Sequence, residues 1–112
     1  MSIPTTELAG YFADWCPHCK TAKPKFNEVA TKIKQKFNKN NINIVINVYR
    51  DEKDKDIMIK RNIQGYPTTE FRIPTDKNKE QVIPFNVRSI PKENYDEFAN
   101  DIVEIYKKNM KI

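Results

Sequence analysis

Residues 8–13, Leu-Ala-Gly-Tyr-Phe-Ala, make a short and mostly apolar run that predicts a strand. From Cys16 to about Phe37 the period changes, and Phe26, Val29, Ala30, Ile33 and Phe37 fall at helical spacing. Pro24 lies inside that helix, where it removes one hydrogen bond and is expected to kink it. Asn38-Lys39-Asn40-Asn41 ends the pattern. Ile42, Ile44, Val45, Ile46, Val48 and Tyr49 then form a β-branched run, which predicts a buried parallel strand over residues 42–49. A charged turn over residues 50–55 precedes Ile57, Met58, Ile59 and Ile63, the marks of a short helix ending near Gly65.

Residues 68–73 read as a strand closed by Pro74. The polar run Thr75-Asp76-Lys77-Asn78-Lys79 predicts a hairpin turn into a further strand at about residues 81–87. Tyr95, Phe98, Ile102, Ile105 and Tyr106 mark one face of a last helix, with Ser89 as a plausible N-cap and Pro91 in the first turn. The predicted order is β-α-β-α-β-β-α, an α/β arrangement. No repeat, low-complexity tract or linker interrupts it, so residues 1–112 are expected to form one domain.

Composition supports a packed interior: the 112 residues are 38% hydrophobic and include twelve aromatics, enough for a single core without staples. The formal charge is +5, from sixteen lysines and four arginines against fifteen acids, and seven lysines lie between Lys20 and Lys39. Such a helix would attract acidic partners, but it lacks the arginines and interleaved aromatics of a single-strand binder. A solvated helix face is the expected reading, with no nucleic-acid partner. No run approaches the roughly 18 apolar residues of a membrane span. The first residues carry no basic patch followed by an apolar stretch, and the last ones no retention signal. A cytoplasmic monomer without membrane contact is therefore expected.

The chemistry is concentrated in Tyr11-Phe12-Ala13-Asp14-Trp15-Cys16-Pro17-His18-Cys19-Lys20, which holds both cysteines and the only histidine. A disulfide closing so short a loop would add little stability, because chain-entropy stabilisation grows with loop length. The pair suits reaction better than stapling. An apolar run enters it and a helical pattern leaves it, so Cys16 should sit where a strand gives way to a helix. Unpaired N–H groups and the helix dipole favour a thiolate there, and the thiolate is the attacking form in disulfide exchange. Metal binding is not expected, since two cysteines and one histidine leave a tetrahedral shell short.

This segment, with Pro24 five residues after Cys19, resembles the active-site segment of thioredoxins and protein disulfide isomerase domains. Gly65-Tyr66-Pro67-Thr68 resembles the same family's Gly-aromatic/aliphatic-Pro-Thr motif. The element order matches the thioredoxin fold in its shortest form, a mixed four-stranded sheet flanked by helices. The resemblance implies a thiol-disulfide oxidoreductase without a bound cofactor, acting on protein substrates with disulfides or thiols and supplied with electrons by a reductase. It implies that Cys16 is an exposed nucleophile, that Cys19 is a more buried resolving thiol, and that Trp15 covers part of the docking surface. Pro67 is implied to be cis, which X–Pro bonds tolerate at a cost of about 0.5–1 kcal/mol. A cis bond would turn the Tyr66 backbone outward, where an extended substrate could pair with it.

Between the cysteines, reducing thioredoxins typically carry Gly-Pro and isomerase-like domains Gly-His. Strongly oxidising bacterial periplasmic enzymes carry Pro-His, as Pro17-His18 does here. Pro17 fits a first helical turn, where its missing N–H is no loss. A cationic His18 beside Cys16 would favour the thiolate and raise the pair's reduction potential. Lys20 and Asp14 flank the site and are expected at the surface.

Two departures stand out. The family usually buries a carboxylate six residues before the first cysteine, where this chain has Gly10. Proton transfer from Cys19 would then fall to Glu7, Asp14, water or nothing. Arg88, in Phe85-Asn86-Val87-Arg88, resembles the isomerase arginine that assists the resolving cysteine, with the spacing off by one. Glutathione dependence is not expected, since residues 86–91 lack the glycine-rich acidic turn of glutaredoxins. The alternative from another class is a non-catalytic thioredoxin-fold binding module that uses the basic helix or the Tyr66-Pro67 edge.

Overall fold

The computed structural model describes residues 5–75 and 79–111. Its elements follow the predicted order: β1 (Glu7–Phe12), α1 (Pro17–Lys39), β2 (Val45–Arg50), α2 (Lys55–Lys60), β3 (Thr68–Pro74), β4 (Glu80–Phe85) and α3 (Tyr95–Met110). The sheet order is β2-β1-β3-β4, with β1 and β2 parallel and the other neighbours antiparallel. This is the mixed four-stranded sheet of the thioredoxin fold.

Strand alternation gives the sheet two unlike faces. Leu8 and Phe12 of β1 and Phe71 and Ile73 of β3 join the main core, together with Phe26, Val29, Ile33 and Phe37 of α1 and Ile102 and Val103 of α3. The apolar spacing read from 26–37 is thus the buried stripe of α1. Pro24 lies inside that helix, between the buried Ala22 and Phe26.

On the opposite face Ala9 and Tyr11 pack on Met58 of α2. Around them runs a chain of buried charges. Glu7 accepts hydrogen bonds from Asn47 Nδ2 at 2.6 Å and from the Tyr49 hydroxyl, and pairs with Arg61 at 2.9 Å. Arg61 also donates to the Tyr11 hydroxyl, which donates to Glu70 at 2.7 Å, and Glu70 pairs with Arg72 at 2.6 Å. Every buried side-chain nitrogen and oxygen among the described residues has a partner.

Three expectations need correction. Strand β2 begins at Val45 and is an edge strand, with Val45 42% exposed; Ile42 and Ile44 are buried, but as part of the approach from α1. A β-branched run fits an edge as well as a centre, so periodicity alone could not separate them. The last helix starts at Tyr95: Ser89 ends a short 3-10 turn, Val87–Ser89, and Pro91 caps a second, Lys92–Asn94, that precedes the helix. Strand β4 covers Glu80–Phe85 and stops two residues earlier than expected, where Asn86 caps the first of those turns. Of the hairpin, Pro74 pairs with Glu80 and the Thr75 N–H donates to the Lys79 carbonyl; the turn expected at residues 76–78 lies outside the described residues.

Candidate active site

The strand-to-helix junction falls where the sequence places it. The Cys16 N–H donates to the Ala13 carbonyl at 3.1 Å, closing a turn after β1, and Pro17 opens α1 as the first helical residue. Both cysteines are free thiols. Cys16 is not the exposed member of the pair: both are 4% exposed. Their surroundings separate them. The Cys16 thiol donates to the Tyr66 carbonyl at 3.6 Å, and the Tyr66–Pro67 bond is cis. The Cys19 sulfur instead accepts the Ala13 N–H at 3.4 Å, beneath the junction.

The electrostatics push the two thiols apart. For Cys16, burial works against the thiolate. It is outweighed by hydrogen bonding from the Cys19 thiol, by the backbone N–H groups of Cys19 and His18, and by the positive charge of Arg88, so Cys16 is held below the ordinary thiol value. For Cys19, burial and the neighbouring Cys16 outweigh the Ala13 N–H and Arg88 and push the thiol up. One thiol is poised to attack and the other to keep its proton until needed.

Arg88 reaches the site despite its offset position. Its Nη1 lies 2.8 Å from His18 Nδ1. A guanidinium has only donors, so Nδ1 is the acceptor in this contact. Arg88 thus brings a guanidinium charge that favours the Cys16 thiolate. Asn86 Oδ1 accepts the Arg88 N–H at 3.1 Å, and Lys25 Nζ donates to the Arg88 carbonyl at 3.5 Å, fixing that backbone against α1.

The place of the family's carboxylate is filled by hydrocarbon. A Cβ built on Gly10 would meet Phe12 Cε2 at 2.7 Å and Phe26 Cζ at 3.0 Å, and those two rings pack edge-to-face at 5.7 Å. Glu7 is no substitute, because its carboxylate is held on the opposite sheet face by Asn47, Tyr49 and Arg61. Asp14 is tied to Arg50 Nη2 at 2.6 Å, which keeps its carboxyl below the usual range and makes it a poor base. A cleft of about 490 Å³ bordered by Ala13, Asp14, Cys19, Lys20, Lys23 and Arg50 gives solvent a route toward the second cysteine.

The rim is aromatic and anchored. Trp15, 69% exposed, meets Tyr66 edge-on at 5.9 Å. Asp51 accepts from both, from Trp15 Nε1 at 3.3 Å and from the Tyr66 hydroxyl at 2.7 Å; burial and that carboxylate push the Tyr66 phenol up to about 12. Lys20 is exposed, as expected. Sequence reading missed Asp51, Phe12, Phe26 and the Ala13 N–H. Asp51 sits in an ordinary charged turn and the others in an apolar run, so nothing local marks them.

The comparisons with known proteins agree with this geometry. A family model described as Thioredoxin matches residues 4–83. A protein disulfide-isomerase of Aspergillus niger is 35% identical over 72 residues, covering 64% of this chain and 13% of that protein. One from Arthroderma benhamiae is 30% identical over 79 residues, 70% of this chain and 13% of the relative. The chain thus spans about an eighth of the length of these relatives, 13% in both cases. Among solved structures, the first two thioredoxin domains of Saccharomyces cerevisiae Eps1p align with a TM-score of 0.67 at 18% identity, over 96% of this chain and 38% of that one. The Trx4 domain of ERdj5 aligns at 0.62 and 20%, over 96% and 82%. With a cysteine pair at the β1–α1 junction facing a cis Tyr66–Pro67 bond, and with the family match spanning most of its length, the chain belongs to the thioredoxin family.

Proposed function

We propose that the Cys16–Cys19 pair exchanges disulfides with protein substrates. The Cys16 thiolate attacks one sulfur of a substrate disulfide, forming a mixed disulfide and expelling a substrate thiolate. Cys19 then loses its proton to solvent in the adjoining cleft and attacks the Cys16 sulfur. That step releases the second substrate thiolate and leaves a Cys16–Cys19 disulfide, so two electrons have passed to the substrate. Run backwards, the same steps donate a disulfide. The observation that carries the reading is the opposite displacement of the two thiols, Cys16 below and Cys19 above the ordinary value, at a site where Cys16 faces the Tyr66 carbonyl.

Trp15, Tyr66 and Pro67 form the surface on which an extended substrate would lie. A partner dithiol reductase in the cytosol would return the disulfide to the dithiol. Insulin reduction by dithiothreitol tests the reading: the protein should accelerate it and Cys16→Ser should abolish the acceleration. An ordinary Cys16 titration together with no acceleration would instead leave a non-catalytic binding module.

A further inference from the structure

The four arginines are not equivalent. Arg50, Arg61 and Arg72 each pair with a carboxylate, of Asp14, Glu7 and Glu70 respectively. Arg88 is exposed, and its side-chain partner among the described residues is the His18 ring. Arg88 lines a groove of about 220 Å³ together with Pro67, Thr68, Pro84 and Asn86, and no acidic residue among the described ones lines it. Lys25 reaches the Arg88 carbonyl, adding a second cation on the same side.

An exposed guanidinium without a carboxylate partner among the described residues, in a groove shared with Pro67, is a recognition element for a planar anion, since its free donors match a carboxylate in pairs. Resting on the disulfide-exchange reading, we propose that Arg88 makes the site prefer substrate segments that carry a carboxylate side chain close to the reactive cysteine, docked in the groove beside Pro67. The occupant is an extended stretch of a substrate polypeptide with Asp or Glu within about three residues of its cysteine, a span set by the neighbourhood of Cys16, His18 and Arg88.

The test uses the reduced protein and single-cysteine peptides carrying a 2-thiopyridyl disulfide. Attack by Cys16 on the peptide sulfur forms the peptide–Cys16 disulfide and releases pyridine-2-thione, whose absorbance reports the rate. Glu, Gln or Lys is scanned from three residues before the cysteine to three after it. At least one position should show a Glu-over-Gln rate ratio of about three to five at low salt, the scale of an exposed ion pair, and the ratio should fall toward one in 0.5 M NaCl. Arg88→Gln should bring the ratio near one, and Arg88→Glu should invert it in favour of Lys. Because each ratio compares two peptides on one protein, any effect of Arg88 on Cys16 itself cancels. Reaction at equal rates at every position would overturn the preference and leave the exchange reading standing; no reaction with any peptide would overturn both.

Discussion

A side chain on Gly10 would collide with Phe12, its Cβ lying 2.7 Å from Cε2 of that ring. The two phenyl rings of Phe12 and Phe26 occupy the space that a side chain at position 10 would enter. Gly10→Ala should therefore cost about 1–3 kcal/mol by overpacking, since both rings are buried and neither can swing into solvent. Gly10→Asp should cost more, because it adds an unpaired buried carboxylate to the same collision, and it should not accelerate turnover. Urea unfolding and insulin-reduction rates measure the two effects separately.

The split between the thiols predicts their alkylation. Cys16 should react with iodoacetamide half-maximally at a pH below the ordinary thiol value of 9.0, and Cys19 of the same protein above it. Cys19→Ser should accumulate mixed disulfides with substrate, since the resolving attack is lost. Mass spectrometry of the alkylated and trapped species checks both.

His18→Pro should lower the reduction potential of the pair by on the order of 30 mV, about a tenfold change in the exchange equilibrium. The variant removes the imidazole 2.8 Å from the Arg88 guanidinium, whose charge favours the Cys16 thiolate. Equilibration with glutathione buffers measures the shift, and an unchanged potential would contradict the role given to the pair.

Glu7 predicts acid sensitivity of the fold. Burial opposes its charge, but hydrogen bonds from Tyr49 and Asn47 and the Arg61 guanidinium hold its carboxyl below the unfolded value of 4.5. A group with a depressed folded value stabilises above the unfolded value, and that stability is lost as pH falls through the folded one. Glu7→Gln should cost about 2–3 kcal/mol at pH 7 and flatten the decline of stability below about pH 4.5, as read by chemical denaturation across pH.

The sequence made the site's chemistry legible because it is local. Cys16, Pro17, His18 and Cys19 lie in one segment whose strand-to-helix change of period can be read directly, and Tyr66-Pro67 carries its own motif. What it concealed depends on neighbours distant in the chain. Whether β2 is central or at an edge is decided by which strand flanks β1, and Val45 or Val48 would be written the same way for both. Ser89 and Pro91 are helix-start residues by type, yet the chain uses them in 3-10 turns that carry Arg88 toward His18. The aromatic filling under Gly10 arises from rings two and sixteen residues away, a contact no pattern in 8–13 announces.

The most direct test is the reduction potential of the Cys16–Cys19 pair, measured by equilibrating the protein with defined glutathione ratios and counting free thiols. Poised between a reducing thioredoxin at about −270 mV and a strongly oxidising enzyme at about −120 mV, the pair should titrate reversibly near −200 mV. A disulfide below about −300 mV, as in a purely structural bridge, or a pair that forms no disulfide in any buffer, would contradict disulfide exchange as the function of this site.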